Sequence, residues 1–320
     1  MTKLKRIYII SFLFILVGSI GCLFTFKSIT RPITTTQKKK LYEDFHHIHI
    51  STQDTDIKIV PTNQTKPHIK VINKSSKSGK YHFTMSIHDS TLYIKNSYRQ
   101  AGLIHFFPSY SIIKIYIPNK LYDSLQIDTN DGDTVITQLQ SKQINIESKD
   151  GDNSLKNIQS NTLSLRTNDG DNVINQLQSK QINIESKDGD NSLENIQSNT
   201  LSLRTNDVDN VLHHIQSSTI KMQSKDGDNT LRDITGQIMG ASRDGDIFLI
   251  DDHLDKHIHL QTHDGDITIQ TKNKPTNSLI STDVQDGNSI IFHNAHNQVQ
   301  FGKGTNKIEL TTKDGDITVK

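Results

Sequence analysis

Carboxylates recur through the chain in the tripeptide Asp-Gly-Asp, the feature of the sequence most able to do chemistry. It begins at Asp131, Asp150, Asp169, Asp188, Asp226, Asp244, Asp264 and Asp314, with variants at Asp207-Val208-Asp209 and Asp286-Gly287-Asn288. Carboxylates aligned on adjacent turns would repel by about 1 kcal/mol per pair even in water, and Ca²⁺ accepts such oxygen ligands. The same residues also favour tight turns, because Gly permits positive φ and Asp hydrogen-bonds its own backbone.

The spacing of the tripeptide fits neither of two familiar calcium motifs. A calcium-binding β-roll repeats Gly-Gly-x-Gly-x-Asp every nine residues, and an EF-hand loop ends on a Glu at its twelfth position. Here the first six occurrences, counting the Val208 variant, are 19 residues apart. We therefore favour turns over a calcium site and predict no cofactor.

Histidines form the second set of candidate ligands. Two groups alternate along the sequence, namely His46, His47 and His49, and His257, His259 and His263. Alternate residues of a strand share a face, so either group could bind a metal. Solvent-facing histidines beside inward Ile and Leu explain both groups equally well, and no metal ligand is predicted.

Catalysis and nucleic-acid binding find no support in the residues. No Ser/His/Asp triad, nucleophile elbow or phosphate loop stands out. Two carboxylates per turn would suit a glycosidase, yet sugar clefts usually carry aromatic platforms, and the chain has no Trp. Lys plus Arg number 36 against 35 Asp plus Glu, so no overall field recruits nucleic acid. We predict a non-enzyme without catalytic residues.

The elements that position these side chains follow from the repeat. Apolar residues lie six and four residues before each first Asp, and five and eight after it, as Ile144, Ile146, Leu155 and Ile158 do around Asp150. Period-two spacing indicates strands, two short ones per coil. The sequence predicts an all-β, parallel β-solenoid of about 19 residues per coil over residues 125–320. Residues 125–270 should form parallel rungs with one inward stack of Ile144, Leu163, Ile182, Leu201 and Ile220.

Polar positions repeat with the same period. Asn153, Asn172, Asn191, Asn210 and Asn229 share the inward side, where stacked amides can bond along a row. Gln140, Gln159, Gln178, Gln197 and Gln216 form another candidate row. Outward Glu147, Arg166, Glu185 and Arg204 would place unlike charges on neighbouring rungs. Segments 138–172 and 176–210 are identical except at Lys156/Glu194 and Gly170/Val208, which indicates a duplication of two coils.

The N-terminal forty residues differ in composition from the rest. Residues 1–26 read as a transmembrane signal anchor, because Ile7–Phe26 carries no charge over twenty mostly apolar positions after Lys3, Lys5 and Arg6. Lipidation of Cys22 or a cleaved signal peptide are the alternatives. All three place the remainder at or outside the membrane. Residues 27–40 read as a polar stalk and residues 41–124 as a β-rich N-terminal cap, in which Leu103–Tyr110 is the only aromatic cluster.

Several strands of the cap and the later turns resemble a bacterial putative-adhesin family of β-strand-repeat envelope proteins of unknown function. The likeness lies in Phe45–Ser51, Asp56–Ile59, Leu92–Ile94, Ile115–Pro118, Leu125–Ile127, and the Gly-Asp-Ile turns at Gly245, Gly265 and Gly315. The near-identical coils and the Asp-Gly-Asp-Asn turns depart from the family pattern. The resemblance implies a surface or envelope role and supplies no catalytic residues.

The functional prediction is a non-catalytic cell-envelope protein, acting as an adhesin or structural interaction module. It would be single-pass in the cell membrane, with the β-domain extracytoplasmic. Its partners would be the membrane and an unknown surface ligand or envelope protein, and not nucleic acid. The alternative is an envelope-stress sensing or regulatory component that acts through a membrane partner.

Overall fold

The computed structural model describes residues 3–29, 33–75, 79–100 and 109–320, and these form one helix and 22 strands. Residues 103–108 of the predicted aromatic cluster lie outside the described residues. In chain order the elements are α1 (Lys3–Ile29), β1 (Ile33–Lys40), β2 (His47–Thr52), β3 (Thr55–Thr62), β4 (His68–Ser75), β5 (Gly79–His88), β6 (Thr91–Gln100), β7 (Tyr110–Pro118), β8 (Leu121–Thr129), β9 (Thr134–Ser148), β10 (Asn153–Thr167), β11 (Asn172–Asp188), β12 (Asn191–Asp207), β13 (Asn210–Gln223), β14 (Asn229–Ala241), β15 (Ile247–Ile250), β16 (Ile258–Asp264), β17 (Ile267–Gln270), β18 (Ser278–Asp286), β19 (Ser289–Ile291), β20 (Gln298–Gln300), β21 (Asn306–Asp314) and β22 (Ile317–Val319).

Helix α1 contains the apolar segment predicted as an anchor. Side chains from Ile10 to Gly21 are exposed, Phe14 to 75%. Among the described residues, no helix combines the length and hydropathy needed to cross a membrane. The membrane anchor therefore stays a prediction.

Residues 33–40, predicted to belong to a solvated stalk, form strand β1. It pairs antiparallel with β4, from Ile33 opposite Ser75 to Lys40 opposite His68. Every side chain of β1 is exposed. The three consecutive Thr residues favour an extended backbone, and the free edge of β4 offers hydrogen bonds, so the segment pairs although its surface is polar.

The non-repeating cap continues directly into the stack. β2 pairs in parallel with β8, placing Ile48 beside Leu125, and β3 pairs in parallel with β7 and β9, placing Ile57 beside Thr134. Antiparallel pairs β4–β7 and β5–β6 add to this end. Inward Ile and Leu of the cap thus belong to the same buried core as those of the repeats.

Strands β9 to β13 are consecutive parallel coils in register at 19-residue intervals. The predicted inward stack from Ile144 to Ile220 is confirmed, since each of its five residues is at most 1% exposed. Each coil is one long bent strand rather than the two short strands predicted. The bend lies where the ladder skips one residue and φ is between 53° and 60°, at Gln138, Asn157, Gln176, Asn195, His214 and Asp233.

The C-terminal rungs leave this regular pattern. The coil between Asp226 and Asp244 is one residue shorter, and the ladder shifts between Gln216 and Thr219. Gly236 makes this possible: its φ is 111°, and a Cβ there would lie 1.6 Å from the carbonyl oxygen of Ser217.

Further along, the order of rungs departs from the order of the chain. β21 pairs with both β16 and β18, so that Ile308 lies between Ile258 and Ile280. β22 likewise lies between β17 and β19. The segment from β21 to β22 is therefore inserted below the outermost rung, which β18 and β19 form, and β20 pairs antiparallel with β18.

Single polar residues fix the loops between these rungs. Lys256 Nζ lies 2.6 Å from Asp251 Oδ2, with both side chains largely buried, and also donates to the carbonyl oxygen of Ile234. Asp255 accepts hydrogen bonds from residues 276–278. Burial opposes the ionised form, but these bonds outweigh it and lower the pKa of Asp255 to about 2.

Candidate functional site

The second Asp of the repeated tripeptide is part of a continuous hydrogen-bonded ladder. Its Oδ1 accepts a hydrogen bond from the backbone N–H of the equivalent residue in the next rung, at 2.7 to 3.3 Å. The ladder runs through Asp56, Asp133, Asp152, Asp171, Asp190, Asp209, Asp228, Asp246, Asp266 and Asp316 to the amide of Asn288. Charge-assisted bonds of this kind are strong, so these carboxylates stabilise the stack.

The first Asp of the tripeptide has a different environment, because at some turns its carboxylate lies beside carboxylates of neighbouring rungs. Burial and Asp169 raise the pKa of Asp188. Contacts with Asp207 and then Asp244 raise the pKa of Asp226. The backbones of Asp207, Asp226 and Asp244 are register neighbours, so their carboxylates lie on adjacent rungs. Arg243 already balances part of this charge, since it bonds Asp244 at 2.9 Å and Asp226 at 3.3 Å.

Glycine is required at the centre of the turn mainly because the backbone of the neighbouring turn lies too close for a Cβ. A Cβ on Gly151 would lie 2.2 Å from the carbonyl oxygen of Gly132, and the same holds for Gly170 above Gly151. Positive φ, the reason expected from the sequence, applies to Gly189 and Gly227, at 102° and 99°. Tight stacking of turn on turn thus selects glycine even where the backbone is not left-handed.

Val208 replaces glycine in the column that the central residues of successive turns form, and the coils on either side of it remain stacked. It is not among the described residues at positive φ, as predicted for a β-branched side chain. Its side chain is 1% exposed, and its neighbours in the column, Gly189 and Gly227, are both at positive φ. The adjacent glycines accommodate the valine. Val208→Gly would remove a buried side chain.

The inward amide ladder predicted from the sequence is confirmed. Asn153 donates to Asn172, and the bonds continue through Asn191 and Asn210 to Asn229 at 2.9 to 3.0 Å. All five side chains are at most 1% exposed. These bonds satisfy amides that would otherwise be costly to bury.

The alternating charge column is confirmed around Arg166, which bonds Glu185 at 3.0 Å and Glu147 at 3.3 Å. Arg204 donates to Gln223 Oε1. Both arginines lie on the solvent side of the strands.

The histidines singled out in the sequence have separate polar partners. His47 contacts Ser124 at 2.8 Å, and His49 contacts Asp128 at 3.2 Å. His259 faces Glu309, and the Nδ1 of His257 accepts from the N–H of Lys307. Only His263 joins a group that could hold a metal, with Asp244 and Asp264.

A second metal-capable group was missed by the sequence analysis. One ligand atom from each of Glu194, His213 and His214 lies within 4.8 Å of the others. The signal was present, since Glu194 and His213 are 19 residues apart, as are His214 and Asp233. One coil of separation places such residues side by side on neighbouring rungs.

Two open grooves run along the row of Gln side chains, which faces outward. One, of about 720 Å³, lies between this row and the bend residues, and its lining includes Gln138, Asn157, Gln176 and Asn195. The other, of about 880 Å³, lies on the opposite side of the row and is lined by Ser, Asn and Lys side chains. Gln197 donates to Gln216 at 3.4 Å. The grooves present amide donors and acceptors at every rung.

These features define a class: a nearly all-β chain whose strands stack mostly in parallel, with buried polar ladders and turns built from carboxylates and glycine. Comparison of the sequence with known families gives matches to the Toastrack DUF4097 family over residues 45–210 and 173–320. The chain belongs to this family. The resemblance noted from the sequence is thereby supported.

Three solved structures are similar over nearly their full length, and no curated protein matches. A putative cell adhesion protein from Clostridium sporogenes is 10% identical, with 90% of this chain and 99% of that chain covered and a TM-score of 0.29. A putative adhesin from Bacteroides fragilis is 12% identical, with 91% of this chain and 98% of that chain covered and a TM-score of 0.36. A putative adhesin from Parabacteroides merdae is 14% identical, with 89% of this chain and 95% of that chain covered and a TM-score of 0.29.

Proposed function

We propose that this chain is a non-catalytic interaction module of the bacterial cell envelope, held at the membrane through its N-terminal segment. The observation that carries the proposal is the pair of grooves beside the Gln row, because both present Gln amides at each rung. Apart from His214 in the first groove and Lys142 and Lys180 in the second, their polar lining is uncharged. The names of the similar structures agree with a surface role and add no residue to it.

The chemistry of the grooves favours an extended, uncharged ligand rich in hydroxyl groups, such as a surface glycan. Amide side chains donate and accept hydrogen bonds, and each contributes about 1 kcal/mol when it replaces bonds to water. Successive rungs are about 4.8 Å apart, so a polymer lying along the stack meets the same groups repeatedly. Binding would be weak per rung and additive along the groove.

A pair of substitutions on the groove tests this function. Gln159→Ala with Gln178→Ala should weaken binding of the full chain to cell-wall polysaccharide roughly thirtyfold, through the loss of about two hydrogen bonds. Ser154→Ala with Ser192→Ala changes two polar side chains, two rungs apart and outside the groove, and should leave the affinity unchanged. Equal affinity of both double variants, or no binding by the unmodified chain, contradicts the proposal.

Membrane attachment is proposed from the twenty uncharged positions Ile7–Phe26 and from the exposed apolar side chains of α1. Protease added to intact protoplasts should digest residues 41–320 while the N-terminal segment stays with the membrane fraction. Cys22→Ala separates the two modes of attachment: retention at the membrane indicates the anchor, and release indicates lipidation. Full protection of residues 41–320 contradicts the proposed topology.

A further inference from the structure

Two neighbouring rungs of the regular coils carry surface residues that break the repeat. They are Glu194, directly before the bend in β12, where the other copy of the duplication has Lys156, and one coil later His213, before the bend in β13, and His214 at the bend. Glu194 is one of only two differences between the duplicated segments. The altered residues meet in space, because Glu194 is the register partner of His213.

The geometry gathers two imidazoles and two carboxylates. Asp233 Oδ2 lies 3.4 Å from Nε2 of His213 and 3.4 Å from Nε2 of His214, and the two rings are 3.8 Å apart. On the other side, Glu194 Oε1 lies 3.8 Å from Nδ1 of His213. Ligands placed tetrahedrally about Zn²⁺ at 2.0 to 2.2 Å are about 3.3 to 3.6 Å apart, so the two contacts of Asp233 have the spacing of zinc ligands.

We propose that this group binds one Zn²⁺ ion, with Nε2 of His213, Nε2 of His214 and a carboxylate oxygen of Asp233 as ligands. Glu194 Oε1, now 3.8 Å from Nδ1 of His213, would move to hydrogen-bond distance when the ion binds and would orient the ring, the role of the carboxylate in a carboxylate–histidine–zinc arrangement. A water molecule takes the fourth position. Imidazole and carboxylate together suit Zn²⁺ rather than Ca²⁺ or Mg²⁺, which take all-oxygen sites.

The backbone holds two of the ligands in place before any ion binds. His214 and Asp233 occupy the bend column, with φ of 53° and 54°, and both therefore project from the same corner of consecutive coils. His213 pairs in register with Arg232 on the next rung, so a positive charge lies near the site. The negative charges of Glu194 and Asp233 must outweigh the positive charge of Arg232 for the site to bind a cation. Arg232→Ala should therefore tighten zinc binding.

The other metal-capable group is a weaker candidate because cations of the protein already face it. Asp244 bonds Arg243, and His263 Nε2 lies 3.4 Å from Lys313 Nζ. This group supplies an internal control for the experiment. The inference is independent of the proposed surface function, since it requires no ligand in the grooves.

The repeat itself provides well-matched variants for calorimetric titration of the full chain with ZnCl₂. His214→Asn installs the residue that occupies the same bend at Asn157 and Asn195, and should abolish binding without loss of folding. Glu194→Lys restores the residue of the other copy and should weaken binding about 10- to 100-fold. His263→Asn should leave the single zinc equivalent intact.

Substitution with Co²⁺ gives a second readout, because a tetrahedral site produces strong visible absorption bands that His214→Asn should remove. CaCl₂ in place of ZnCl₂ should give no comparable heat. Zinc binding that survives His214→Asn, or that is lost in His263→Asn, overturns the assignment, as does the absence of zinc binding in the unmodified chain.

Discussion

The regular coils, β9 to β13, and the C-terminal rungs, β15 to β22, share one inward stack but stabilise it differently. Ile184 in the first region and Ile267 in the second are both fully buried. In the regular region the inward Asn side chains bond their own counterparts one coil away. In the C-terminal region, single residues such as Asp251, Asp255 and Lys256 satisfy irregular loops. Repetition spreads the stabilisation over many equivalent contacts, whereas an interrupted repeat concentrates it in a few.

The largest effect is therefore expected in the C-terminal region. Lys256→Ala leaves the buried Asp251 carboxylate without its ion pair and should lower the free energy of unfolding by about 3 kcal/mol. Denaturant titration of the full chain measures this. Lys272→Ala is the control, since Lys272 pairs with Asp252 while its side chain is 83% exposed, and should cost less than about 1 kcal/mol. Similar small losses for both would contradict the contrast between the regions.

A single break in the inward amide ladder should have a smaller effect. Asn191→Ala removes one donor and one acceptor from the row and leaves Asn172 and Asn210 incompletely paired. We expect a loss of about 2 kcal/mol in the same measurement. Asn199→Ala, at an exposed position of the same coil, should change stability by less than about 0.5 kcal/mol. If Asn191→Ala is as mild, the ladder is not what stabilises the regular coils.

Val208→Gly makes one irregular coil regular and tests the balance of packing against backbone strain. Loss of the buried side chain should outweigh any relief at Gly189 and Gly227, and stability should fall by about 1 kcal/mol. Val173→Gly is the matched control, because it gains the same backbone freedom at a side chain that is 48% exposed. A rise in the melting temperature of Val208→Gly above that of the unmodified chain would show that the valine strains its turn.

Acid should affect the two regions in opposite directions. The pKa values of Asp188 and Asp226 are raised, so protonation relieves repulsion in the regular coils as pH falls through their folded values. The pKa of Asp255 is lowered to about 2, so its contribution is present above its unfolded value near 3.8 and is lost as pH falls toward 2. Hydrogen exchange at pH 5, 4 and 3 should show the loops around residues 251–277 opening first. Uniform loss of protection would contradict this.

Much of the regular region could be predicted because its 19-residue period fixes both the register of neighbouring strands and which side chains point inward. The inward stack from Ile144 to Ile220, the Asn ladder and the Arg166 ion pairs all follow from a 19-residue offset. The bend residues were missed because four residue types, Gln, Asn, His and Asp, occupy the same position of successive coils. All four tolerate positive φ, but no single residue type recurs there to indicate a bend. The position of Ile308 between Ile258 and Ile280 could not be predicted. No local feature of the sequence specifies that a later strand, β21, pairs between β16 and β18.

The candidate sites were predicted less well than the fold. The Asp-Gly-Asp pattern identified the turns, but it did not show that the two carboxylates have different roles. Those roles depend on where the next rung places its backbone N–H. The histidine groups were sought at alternate positions along one strand. Glu194 and His213 meet instead across neighbouring strands, a relation that appears only when candidate ligands are compared one coil apart.

The insertion of β21 and β22 beneath β18 and β19 imposes an order on folding during synthesis. Residues 278–291 leave the ribosome before residues 306–319, yet they can dock only after the later segment has paired with β16 and β17. A chain that emerges N-terminus first can therefore build its rungs in sequence as far as β17, and residues 278–291 must then remain undocked. Until the later strands arrive, the edge of β17 is free to pair with another copy, so the rate at which residues 278–319 emerge governs misassembly.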